Sequence, residues 1–149
     1  MILKIAQDLT CDDIEVSIRY ANMTKDIQRI ISLLKSLDTQ VKCSDNGIER
    51  MVNASEIFYV ESVDKKTFLY LEKNVYRTDL RLYQLADDLV HLGFVQVSKS
   101  CILNINALES IKPLLNSRME ATLKNGEKIH INRKYLSDIK QALKGECGR

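Results

Sequence analysis

The residues that could do chemistry in this chain are four cysteines, two histidines and two pairs of adjacent aspartates. No two cysteines stand in the C-x-x-C spacing typical of zinc sites, and His91 and His130 are far apart in the sequence. Neighbouring aspartates point in different directions on a strand or a helix. The P-loop, dinucleotide-binding and nucleophile-elbow motifs are absent. We therefore predict no metal site, no cofactor and no enzyme activity.

The cysteines are better explained as packing residues than as ligands or nucleophiles. We expect Cys43 and Cys101 to fill small core positions, and Cys147 to be exposed near the end of the chain. The sequence has neither a secretory signal nor an apolar run near the roughly 20 residues of a membrane span. We therefore predict a cytoplasmic protein, in which disulfides are rare.

Positive charge is gathered in the C-terminal third of the chain. Residues 94–145 contain nine Lys/Arg and four Asp/Glu, whereas the net charge of the whole chain is only +2. Residues 1–53 carry seven basic and eight acidic side chains. This distribution is a mild indication of an anionic partner, although a solvated basic face is the simpler explanation of the charge alone.

The elements that must position these residues begin with a predicted strand and helix in residues 1–53. Residues 13–20 alternate polar and apolar side chains, as a half-buried strand does. Thr24 is the predicted N-cap of the helix that follows. The apolar stripe of this helix consists of Ile27, Ile30, Ile31, Leu34 and Leu37. Two arrangements are open: the helix packs on its own sheets, or it packs against a second protomer.

Residues 54–149 contain most of the predicted strands. Aromatic and aliphatic runs or clean alternation place strands at residues 57–61, 67–71, 94–100, 119–123 and 128–131. The first two are joined by a polar connection at residues 62–66. The last two flank Asn125–Gly126, which predicts a hairpin with a type I′ turn.

Two more helices are predicted in the same part of the chain. Thr78 is the predicted N-cap of the first, and Gly93 ends it. Asn132 caps the last helix, which Gly145 ends. The pattern predicts an α+β protein with a strand-helix extension at residues 1–53 and a domain at residues 54–149.

Five segments of the second region resemble the LytTR family of bacterial DNA-binding domains, in the family's order. They are residues 57–62, 85–92 with Phe94, 97–104, 123–126 and 131–136. For example, V-S-K-S-C-I-L-N resembles the family's I-H-R-S-Y-L-V-N, and I-N-R-K-Y resembles V-S-R-R-Y. Ser98, Lys99 and Asn132 stand where the family usually has histidine, arginine and serine, which leaves the DNA target open.

The resemblance implies small antiparallel sheets that read double-stranded DNA through loops, and transcriptional regulation at promoter repeats with two protomers bound. The implied DNA contacts are Lys65, Lys66, Thr67, Ser98, Lys99, Arg133 and Lys134. Arg133 suits a guanine or a phosphate, and the lysines suit phosphates. Asn104 also matches a family position, but we expect its amide to satisfy backbone groups in a bend.

The extension of about 50 residues is too short for the phosphoreceiver domain that many family members carry, since such a domain needs roughly 120 residues. We therefore expect a stand-alone regulator that acts as a homodimer, at least on DNA. The alternative is a protein-interaction module whose basic loops bind an acidic or membrane-bound regulatory partner. The salt dependence of nucleic-acid binding distinguishes the two.

Overall fold

A computed structural model describes residues 1–115 and 118–147, with side chains as far as Leu143. The helices in these ranges are α1 (Lys25–Asp38), α2 (Leu82–Leu89) and α3 (Leu136–Cys147). The strands are β1 (Gln40–Asp45), β2 (Ile48–Asn53), β3 (Tyr59–Val63), β4 (Lys66–Tyr70), β5 (Val75–Thr78), β6 (Phe94–Ser98), β7 (Cys101–Asn104), β8 (Leu108–Pro113), β9 (Met119–Leu123) and β10 (Lys128–Ile131). The α+β class is confirmed. None of the helices described here is long and apolar enough to cross a membrane.

The strands form two antiparallel sheets. The larger sheet has seven strands in the order β2-β1-β5-β4-β3-β7-β6, and the smaller has three in the order β10-β9-β8. In the larger sheet β3 pairs with both β4 and β7. The β3–β4 and β6–β7 turns therefore leave the sheet at the same end.

Two apolar cores hold these layers together. One core lies between the larger sheet and α2, where Leu85 and Leu89 are buried against strand residues such as Leu69. The other core joins β6 and β7 to the smaller sheet and α3, through residues such as Leu123 and Ile139. Burial of these side chains supplies most of the driving force for the arrangement. Helix α1 contacts α3, β2 and the 3-10 turns at residues 54–56 and 90–92.

The N-terminal prediction is half confirmed. Helix α1 forms as expected, and the Oγ1 atom of Thr24 accepts a hydrogen bond from the Ile27 N–H at 3.3 Å. The strand prediction for residues 13–20 is wrong, because residues 1–24 form no strand and most of their side chains are exposed. An alternating segment becomes a strand only when a neighbouring strand pairs with its backbone. The strands of this region are instead β1 and β2, joined at Asn46–Gly47.

The predicted helix signals at Thr78 and Gly145 are also wrong. Thr78 ends β5, where its buried hydroxyl donates to the Lys42 carbonyl at 2.9 Å. Helix α2 starts four residues later, and the Gln84 side chain accepts a hydrogen bond from the Arg81 N–H at 2.8 Å. Helix α3 continues through Gly145 to Cys147. Gly93 does end its helical segment, with φ +90°.

The hairpin predicted at Asn125–Gly126 is confirmed, since β9 and β10 have the predicted bounds. Its turn type is not the predicted one. A type I′ turn needs positive φ at both central residues, and only Gly126 has it, at +89°. The Leu123 N–H bonds to the Glu127 carbonyl at 2.8 Å, which places a three-residue loop between these two residues.

Candidate nucleic-acid interface

The β3–β4 hairpin ends in a strained turn that carries the first predicted contact. Pairing continues to Val63 and Lys66, so the turn contains only Asp64 and Lys65. Their φ angles are +51° and +65°. An L-residue other than Asn, Asp or Gly pays about 1–2 kcal/mol for this left-handed conformation. Residues held in such conformations cluster at functional sites, so the lysine at the tip points to a use beyond turn formation.

The same turn type occurs between β1 and β2 without this strain. There the two residues are Asn46 and Gly47, with φ of +51° and +83°. Asn-Gly is the sequence that type I′ turns prefer. The chain thus contains both a relaxed and a strained version of one turn, and the strained version carries the cation.

Arg81 holds the strained turn in place. Its Nη1 atom donates to the Lys65 carbonyl at 3.2 Å. Because Arg81 is the residue before α2, this bond connects the turn to the start of that helix. The bond also brings a second exposed cation to the hairpin tip. No local pattern in the sequence indicates Arg81 as part of this site, because its contact with Lys65 spans 16 residues.

The β6–β7 turn lies directly beside this hairpin. The Ser62 N–H donates to the Ser100 carbonyl at 2.8 Å, which links β3 to the turn. Within the turn the Ser100 N–H donates to Ser98 Oγ at 3.3 Å, which restricts its conformation. Lys99 is exposed at its tip, and Ser98 is half-buried.

The segment before α3 lies beside the end of β6. The Asn132 N–H donates to the Val97 carbonyl at 2.8 Å. The Asn132 side chain then accepts from the Lys134 N–H at 3.0 Å, which confirms Asn132 as the cap. Arg133 and Lys134 are exposed, and Lys134 Nζ lies 5.6 Å from the centre of the Tyr135 ring.

These contacts bring three segments that are distant in sequence to one end of the larger sheet. We call their exposed cations, together with the Arg81 that bonds to the first segment, the basic edge: Lys65, Lys66, Arg81, Lys99, Arg133 and Lys134. Two backbone hydrogen bonds, from Ser62 and from Asn132, connect the three segments. Thr67 is different from the other predicted contacts, because it is only 3% exposed and its side chain does not reach this surface.

The residues with reactive side chains are used for packing. Cys43 and Cys101 are buried, as predicted, while the side chain of Cys147 lies outside the described residues. Burial raises the pKa of the Cys101 thiol to about 12, so it stays protonated at neutral pH. Asn104 is buried as well; it donates to the Ile57 carbonyl at 3.0 Å and accepts from the Asn106 N–H at 3.0 Å. Its predicted structural role is confirmed.

The fold and the basic edge define an α+β domain of antiparallel sheets with a cationic surface at one end, a class of surface suited to an anionic partner. The family model of the LytTr DNA-binding domain matches residues 49–144. The chain therefore belongs to the LytTR family of DNA-binding domains.

Three similar proteins illustrate the relationship. The sensory transduction protein LytT of Bacillus cereus is 33% identical over 94 residues, which are 63% of this chain and 38% of LytT. An uncharacterized HTH-type transcriptional regulator of Staphylococcus aureus is 28% identical over 131 residues, 86% of this chain and 88% of the regulator. A solved LytTr DNA-binding domain from Bacillus cereus has a TM-score of 0.66 at 25% identity, and the match covers 70% of this chain and 96% of that domain.

Proposed function

We propose that this chain is a transcriptional regulator that binds double-stranded DNA sequence-specifically and reads promoter repeats through its loops. The observation that carries the proposal is the basic edge, in which five exposed cations project from three connected segments and a sixth, Arg81, is bonded to the first of them. Loops that are held by a rigid sheet can contact successive parts of one DNA face. Phosphate binding would also account for a lysine kept in a strained turn.

The side chains of the basic edge divide into two roles in this proposal. Arg133 is the candidate for reading sequence, because its guanidinium can donate two hydrogen bonds to the O6 and N7 atoms of guanine. The lysines are candidates for phosphates, where a point charge is sufficient. The Ser98 hydroxyl can bond to a phosphate or a base. Arg81 would hold the Lys65 backbone in position, because its guanidinium donates a hydrogen bond to the Lys65 carbonyl.

The proposal extends to the organisation of the protein. Residues 54–149 would bind DNA, and residues 1–53 would pack on them and contribute to a dimer on repeated sites. The regulator would act in the cytoplasm. A role as a module for an acidic or membrane-bound regulatory partner is the alternative, and it predicts no preferred DNA sequence.

Selection of bound duplexes from a random library, followed by sequencing, tests this function. We expect an enriched motif, repeated at a spacing near one helical turn. Arg133→Ala should relax the preference at one position and cost about 1–3 kcal/mol of specific binding. Lys73→Ala is the matched control, because Lys73 is exposed in the β4–β5 turn at the opposite end of the sheet. Binding without sequence enrichment would favour the interaction module, and wild-type binding by Arg133→Ala would remove Arg133 from the interface.

A further inference from the structure

The N-terminal segment has the pattern of a strand but no strand to pair with. Residues 13–20 place Ile14, Val16, Ile18 and Tyr20 on one side and polar residues on the other. In the structure Ile14 is 88%, Val16 59% and Tyr20 50% exposed. Apolar side chains at every second position are costly to leave in water, so this segment is suited to a strand that something else completes.

The larger sheet has an open edge of matching character at β2. This strand is the last of the sheet and pairs only with β1 in the described part of the chain. Ile48 and Met51 on it are 68% and 55% exposed. Leu33 and Leu37 are exposed on the final turns of α1, which leads into β1. An open strand edge with exposed apolar residues is a site at which another strand can add.

One antiparallel register joins the two features particularly well. With Ser17 opposite Met51, Val16 lies beside Val52 and Tyr20 beside Ile48 on the core side of the sheet. The same register pairs Arg19 with Glu49 on the other side, as opposite charges prefer. The parallel pairing that covers all of β2 sets Ile14 beside Ile48 and therefore places Glu15 against Glu49 instead.

We propose that residues 13–20 of one chain pair with the β2 edge of a second copy, and that the exchange is reciprocal. In the structure of one chain, both the segment and the β2 edge are unpaired. A second copy satisfies both at once, and reciprocal exchange closes a two-fold dimer. Strand β2 lies at the far side of the sheet from β6, so this dimer leaves the basic edge free.

The first test measures self-association without DNA, so its result does not depend on the proposed function. We expect the full chain to form a dimer in analytical ultracentrifugation. Val16→Asp should weaken dimerisation about 100-fold or more, because it buries a carboxylate in the new strand pair. Leu9→Asp is the control, since Leu9 is 89% exposed and lies outside the pairing segment. A monomeric wild-type chain, or equal dimerisation by wild type and Val16→Asp, would overturn the proposal. Thermal unfolding at low concentration checks that each variant folds.

The second test asks which chain supplies the strand. Ser17→Cys and Met51→Cys are made in separate chains in which Cys11 and Cys147 are replaced by serine. Oxidation of a mixture of the two should give a disulfide-linked pair of chains, because the register sets these residues opposite each other. A chain that carries both substitutions and cross-links only within itself would show that the edge is covered by its own segment, and would refute the exchange.

Discussion

Because the β3–β4 turn is strained, we expect that replacing its lysine, Lys65, with glycine stabilises the fold. Lys65→Gly removes the cost of about 1–2 kcal/mol that an L-residue pays at φ +65°. Glycine offsets about 0.5–1 kcal/mol of this gain, because its greater conformational freedom stabilises the unfolded chain. The Lys65 side chain is exposed, and its carbonyl bond from Arg81 involves only the backbone. We therefore expect a net gain of about 0.5–1 kcal/mol in the free energy of unfolding, or roughly 1–4 °C in Tm.

The β1–β2 turn provides the reverse substitution as a control. Gly47→Lys introduces a side chain at φ +83°, where a Cβ atom meets nothing within 4 Å. Backbone strain is then the main effect, so we expect a loss of about 1 kcal/mol. Urea unfolding of both variants against wild type gives the two free energies. If Lys65→Gly destabilises the protein, the argument from turn strain is wrong.

The same pair of variants separates stability from DNA binding. Lys65→Gly should bind DNA more weakly although it is more stable, and its slope of log affinity against log salt should fall by about 0.9 for one lost phosphate contact. Gly47→Lys should keep the wild-type affinity and slope, because its turn lies at the opposite end of the sheet from the basic edge. Unchanged binding by Lys65→Gly would exclude Lys65 from the interface.

Three further predictions follow from the site and the core. Lys99→Ala should weaken binding to all duplexes alike, and its slope of log affinity against log salt should become shallower by about 0.9. The control Lys73→Ala should leave the affinity and the slope unchanged. Equal slopes for Lys99→Ala and wild type would exclude Lys99 from the interface. Asn104→Ala should cost about 2–3 kcal/mol in urea unfolding, because a buried carbonyl and a backbone N–H lose their partner; a cost near zero would contradict this. The raised pKa of Cys101 stabilises the fold fully below pH 9 and progressively less as pH rises toward 12, because only the unfolded thiol ionises there. The urea midpoint should therefore decrease more between pH 8 and pH 10 in wild type than in Cys101→Ala.

Local patterns in the sequence predicted the elements that local interactions stabilise. Helix α1 followed from the Thr24 cap and an apolar stripe, and the β9–β10 hairpin followed from alternation around Asn125–Gly126. Capping bonds and short hairpins join residues close in sequence, so their signals are readable there. Thr78 shows the limit of such signals, because its hydroxyl found a carbonyl 36 residues away instead of a helix terminus.

Residues 13–20 show a second limit. Their alternation indicates a strand, and the structure of one chain has no strand there. A strand forms only when a neighbouring strand pairs with it. Alternation in the sequence therefore indicates that a segment can pair, but it does not identify the partner strand.

The sequence by itself determined the α+β class, the family resemblance and most of the cations of the candidate interface. Tertiary structure alone decided that these cations form one surface, because the bonds from Ser62 to Ser100 and from Asn132 to Val97 join segments separated by more than 30 residues. It also buried Thr67, added Arg81 and placed Lys65 in a left-handed turn. These features depend on strand order and backbone geometry, which arise when the sheet assembles and leave no local pattern in the chain.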